Sequence, residues 1–178
     1  MNTSTQLRMT VYASLLAALT AVGAYLSIPI GPVPIILQNM FVLLSGLLLG
    51  SRWGLASVGV YILAGAFGLP VFAGGLGGIS RIAGPTGGYL LGYLPAVYVI
   101  GLITEKLKIN IVFDVIAMIC GCIIIYVCGV TWLKVLTGMT WSKTLMVGMY
   151  PFVIGDVLKI AAAAAIAKGL RPVIMKTG

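Results

Sequence analysis

The stretch IVFDVIAMICGCIIIYVCGVTWL, residues 111–133, decides the class of fold. Its twenty-three residues carry one charge, Asp114, and exceed the roughly 20 apolar residues that a helix needs to cross a bilayer. Lys106 and Lys108 stand before it and Lys134 follows it, the flanking pattern of interfacial anchors.

Similar runs occupy residues 7–28, 35–50, 53–68, 89–103 and 145–167. Of the 178 residues, 61% are hydrophobic and 8% charged, and the mean hydropathy is +1.16. Soluble domains are about 45–50% apolar and about one-quarter charged, so the chain is expected to be an all-α integral membrane protein. Residues 1–178 are expected to form a single domain of six transmembrane helices, with no room among them for a sizeable soluble part. The first run ends in the helix-breaking cluster Pro29, Gly31, Pro32 and Pro34. It is longer than a signal-peptide core and lacks an Ala-x-Ala site, so it reads as a retained span.

The connection at residues 69–88 is least regular, with seven glycines and two prolines in twenty residues. Such backbone is tolerated near lipid only when buried in protein or lining a cavity. Alternating the six spans across the membrane puts Arg8, Arg52, Lys106, Lys108, Lys168, Arg171 and Lys176 on one side, against Arg81, Lys134 and Lys143 on the other. The positive-inside rule then makes both termini cytoplasmic and the glycine-rich loop outward.

Eleven Lys and Arg against three Asp and Glu give a net charge of +8, with no histidine. The bases are scattered singly at the ends of apolar runs, which fits membrane anchoring and argues against nucleic acid. Cys120, Cys122 and Cys128 share one apolar run and read as small packing residues. With three carboxylates and no histidine, no metal site is expected. An enzyme is disfavoured for the same reasons, since Glu105, Asp114 and Asp156 lie on separate segments.

Asp156 and Lys159 are three apart on the sixth helix and share a face. Counting back from Lys168 puts Lys159 about 13–14 Å from the cytoplasmic end, near mid-membrane. Charges there are costly and mark a functional site by default; a structural pair locking two helices is the alternative. Arg81, with Gly84, Pro85, Thr86, Gly87, Gly88 and Tyr89 after it, offers a guanidinium for a carboxylate and backbone for close approach. Loop packing explains the same glycines, and no nucleotide-binding motif is present. Gln38, beside Asn39, and Tyr89 sit near outer helix ends, where polar residues are common. Ala13, Ala17 and Ala21 form a small-residue stripe that permits close helix contact, either within the bundle or with a partner. From the residues alone, a self-sufficient secondary transporter for a small polar or acidic solute and a scaffold remain alternatives.

The loop Ser80-Arg81-Ile82-Ala83-Gly84-Pro85-Thr86-Gly87-Gly88-Tyr89-Leu90 with Gly92-Tyr93, and the later Gly155-Asp156-Val157-Leu158-Lys159, resemble the BioY family. Its members are biotin-specific substrate-binding (S) components of energy-coupling factor (ECF) transporters. The likeness covers essentially the whole chain. It implies a high-affinity biotin binder in a prokaryotic plasma membrane, with biotin as cargo and no cofactor. It also implies an EcfT-like or BioN-like transmembrane coupling subunit and two cytoplasmic ABC-type ATPases as partners. The alanine stripe resembles the pattern by which S components dock on the coupling subunit, an outward-facing role. Given that ligand, Asp156 suits the ureido N–H groups, Lys159 the ureido oxygen and Arg81 the carboxylate tail.

Overall fold

The apolar run that decides the class forms a helix, Ile111–Thr137, with both ends defined locally. The Asn110 side chain accepts the Val112 N–H at 3.0 Å, and Gly138 closes the other end at φ 67°. The computed structural model describes residues 3–28, 35–107 and 110–175. Their elements are α1 (Thr3–Tyr25), β1 (Ser27–Ile28), β2 (Ile35–Ile36), α2 (Gln38–Ala66), α3 (Ile79–Ile82), α4 (Gly87–Lys106), α5 (Ile111–Thr137), α6 (Trp141–Gly148) and α7 (Tyr150–Met175). The expected break at Pro29, Gly31, Pro32 and Pro34 and the bases Lys108 and Lys176 lie outside the described residues. Flanking that break, β1 and β2 pair antiparallel, Ser27 with Ile36 and Ile28 with Ile35.

Among the described residues, five helical stretches are long and apolar enough to cross a membrane. Their exposed faces are apolar too: Ile116, Ile119, Ile123 and Val127 on α5, and Ile154, Val157 and Leu158 on α7. Water would make that arrangement costly; hydrocarbon does not.

The second and third apolar runs belong to one element, α2, interrupted at Gly50, whose φ of 75° and ψ of −171° only glycine adopts readily. A Cβ on Gly54 would lie 2.9 Å from the Ser45 carbonyl oxygen. A straight helix would separate residues nine apart by about 13–14 Å. The chain therefore doubles back, and residues 38–49 and 51–66 are antiparallel arms. Helix α4 lies across both: Gly46 meets Ile100, Gly54 meets Val97, and Gly101 lies against Ser51.

Breaking a helix strands backbone groups. Here the break has two side-chain caps: Glu105 accepts from the Ser51 N–H at 2.7 Å, and Arg171 donates to the Leu47 carbonyl at 3.2 Å. Arg171, placed among the flanking bases by its sequence position, is buried and bidentate to Asp114 at 2.8 and 2.9 Å.

The last run is divided differently from its hydropathy boundaries. Residues 145–148 belong to α6, the backbone breaks at Met149 (φ −134°, ψ −58°), and α7 continues to Met175. Lys159 is therefore nine residues from the start of α7 and sixteen from its end, about 14 and 24 Å. Counting from Lys168 misplaces it because Lys168 is inside the helix.

Between α2 and α3, Gly68 and Gly78 both donate to the Gly65 carbonyl, at 3.0 and 2.7 Å, so the intervening segment closes on itself. Phe72 from its middle is buried in the notch left by the missing Gly65 side chain. It packs edge-on to Tyr61, with ring centroids 5.7 Å apart. Tyr61 also donates to the Val71 carbonyl at 3.1 Å, and Tyr25 donates to that of Pro70.

The expected docking stripe is a correction. Ala13 and Ala17 are buried within the chain and Ala21 packs against its core, while Ser57 of α2 donates to the Ala13 carbonyl at 2.8 Å. The stripe seats α1 on α2 and does not face outward.

Candidate functional site

Asp156 and Lys159 of α7 are brought together as their spacing requires, with Nζ 2.9 Å from Oδ1 and both residues buried. The Tyr126 hydroxyl of α5 donates to Oδ2, so both carboxylate oxygens are engaged. Capacity remains: a carboxylate has about four acceptor sites and an ammonium three donors. On α4, Tyr93 is fully buried, donates to the Asn39 side-chain oxygen of α2, and shares a packed cluster with Tyr61 and Tyr89, against which Tyr126 also packs. Four elements thus converge on one internal polar cluster.

Gln38 opens α2 beside Asn39 with no exposed surface, and neither its Oε1 nor its Nε2 has a hydrogen-bond partner among the described residues. Leaving a buried primary amide unbonded costs about 1–3 kcal/mol.

The loop residues divide. Tyr89 is buried and donates to the Gly148 carbonyl at 2.7 Å, tying α4 to α6. The Gly84 carbonyl accepts from Trp132 Nε1 at 2.9 Å. A Cβ on Gly87 would collide with the Ile82 carbonyl, and one on Gly88 with Trp132. These two glycines serve close packing at the start of α4. Thr86 provides the carbonyl that receives the Tyr89 and Leu90 N–H groups, and Pro85 is exposed. Arg81 is exposed on α3 and is not drawn into the buried cluster.

Sequence reasoning missed Tyr126 and Asn39 as members of the buried polar cluster. One signal was available: a tyrosine at the centre of an apolar span has a hydroxyl that must find a partner. It also missed the Asp114–Arg171 pair, whose members lie 57 residues apart.

Membrane-length helices closed around an ion pair and a carboxylate-bound tyrosine define a multi-pass α-helical membrane protein with an internal polar site. The match to known proteins is more particular. A family model described as "BioY family" matches residues 1–176, and the chain belongs to that family. It is 43% identical to the biotin transporter BioY of Thermotoga maritima over 165 residues, covering 93% of this chain and 96% of the relative. To the probable biotin transporter BioY of Pyrococcus horikoshii it is 41% identical over 158 residues, 89% and 93% of the two chains. Its fold matches the crystal structure of the S-component for biotin from an ECF-type ABC transporter with a TM-score of 0.91, 34% identity, and coverage of 96% and 94%. The family is one of transporters, not enzymes.

Proposed function

We propose that this chain is the biotin-binding S component of an ECF-type uptake transporter, which captures biotin outside and delivers it through a coupling subunit. The observation that carries the reading is the buried Asp156–Lys159 pair with Tyr126 on its free oxygen. Biotin's ureido ring presents two N–H donors and one carbonyl, and the remaining acceptor sites of Asp156 and donors of Lys159 match them in kind. A ligand lacking either function would leave a buried charge short of partners, which is the physical basis for selectivity. Gln38, whose buried amide has no partner among the described residues, would offer the ligand one more donor and acceptor. Arg81 would meet the carboxylate tail at the outer loop, with Gly84, Pro85 and Thr86 as the flanking backbone.

In this reading the two arms of α2 both cross, giving six spans in a cell membrane with both termini cytoplasmic. The side of Arg52, Lys106 and Lys168 faces inward by the positive-inside rule. The sequence has no nucleotide-binding motif, so the energy would come from cytoplasmic ATPases acting through a transmembrane coupling subunit. A proton-relay carrier is less well supported: the other buried ion pair, at Arg171, lies twelve residues farther along α7, about 18 Å away.

Equilibrium titration of the detergent-purified chain with biotin, with thiamine as control, tests the reading. Asp156→Asn and Lys159→Met should each weaken biotin binding by about 2 kcal/mol or more, the cost of stranding a buried partner, while leaving a folded protein. Parent-like binding by both variants would make the pair structural.

A further inference from the structure

The chain has three carboxylate side chains, and the structure accounts for each. Asp156 is paired with Lys159 and Asp114 with Arg171, while Glu105 accepts from Ser51. Asp114 and Glu105 lie at the same end of the bundle, around the break in α2. Lys134 stands twenty residues beyond Asp114 on α5, about 30 Å away.

At that far end four segments form one rim. Trp132 on α5 donates to the Gly84 carbonyl just after α3, and Tyr89 on α4 donates to the Gly148 carbonyl of α6. Lys134 sits 5.0 Å over the Trp141 ring at the start of α6. The rim carries Arg81, Lys134 and Lys143 and no carboxylate side chain. Arg81 and Lys143 are exposed and Lys134 half-buried. It is also the end nearer the polar cluster: Asp156 is six residues from the start of α7 and nineteen from its end, about 9 against 28 Å.

We infer that this rim is an electropositive mouth that steers anionic ligands toward the site, with Lys134 and Lys143 acting at a distance from the bound molecule. Three like charges with no opposing one create an attractive field for an anion, which raises encounter rate more than bound-state affinity. The inference rests on the proposed biotin reading, biotin's tail being a carboxylate at neutral pH. Steering screens with salt: the Debye length falls from about 30 Å at 0.01 M to under 10 Å above 0.1 M.

Stopped-flow association with the full chain in non-ionic detergent tests it, using biotin and the uncharged biotinamide as probes. Between about 0.01 and 0.3 M salt, the association rate constant for biotin should fall about threefold or more, and that for biotinamide should stay flat. Lys143→Glu, at an exposed position, should slow biotin association about threefold at low salt without changing its dissociation rate. Equal salt slopes for the two ligands, or an unchanged association rate in Lys143→Glu, would overturn the steering role while leaving biotin binding intact. Failure of the parent to bind biotin at any salt concentration would remove the proposed function, and this inference with it.

Discussion

Gln38 is the residue where fold and function pull apart. Its buried amide has no hydrogen-bond partner among the described residues, an arrangement that costs the ligand-free protein what an apolar side chain would not. Gln38→Leu should therefore raise the thermal stability of the ligand-free protein by about 1 kcal/mol or more while weakening biotin binding by a similar amount. Thermal unfolding in detergent and biotin titration on the same preparation check both halves, and a variant less stable than the parent would give Gln38 a structural role. Tyr126→Phe removes only the hydroxyl on Asp156, and a loss of about 1.5–3 kcal/mol in biotin affinity is expected by titration calorimetry. The sequence made Asp156 and Lys159 readable as a unit because three helical residues bring side chains together without help from the rest of the chain. Tyr126 meets Asp156 across 30 residues and Tyr93 meets Asn39 across 54, contacts set by how helices pack, which local spacing does not encode.

At the level of elements, glycines in α2 make opposite demands. Gly50 holds a backbone geometry closed to other residues, and a Cβ there would collide with Glu105; Gly59 has helical geometry and open space around it. Gly50→Ala should destabilise the protein by about 2–3 kcal/mol, and Gly59→Ala should stabilise it by about 0.5–1 kcal/mol, both measured by thermal unfolding. Hydropathy and alternation already set the two runs in this region as separate spans of opposite direction, but the reversal at the single residue Gly50 comes from the geometry. The alanine stripe teaches the converse. Ala13, Ala17 and Ala21 recur every four residues, but so do Ser14 and Ala18 one position along, and periodicity does not say which set meets the protein. The structure buries Ala17 and exposes Ala18. Ala17→Trp should therefore cost about 3 kcal/mol or more in stability and impair biotin binding, whereas Ala18→Trp should spare both. Matching losses in the two variants would remove that distinction.

Across the whole molecule, the end of the bundle around Gly50 is held by a buried ion pair joining α7, α5 and the first arm of α2. Arg171→Gln should destabilise the chain by about 3–5 kcal/mol in denaturant unfolding, and combining Arg171→Met with Asp114→Leu should recover most of that loss, because the cost lies in the stranded charge. The expected membrane orientation rests on seven bases on one side against three on the other, and such a count cannot tell an anchoring arginine from one drawn inward, since both follow an apolar run. At the opposite end lies the segment whose two ends meet on the Gly65 carbonyl. A path that leaves and returns to one point acts as a cassette: its contents can be lengthened without altering the distance that the flanking helices must keep. Its tip, Gly74 and Gly75, is a natural place to graft a peptide tag or fluorophore, giving an optical reporter above the bundle with Phe72 still seated below.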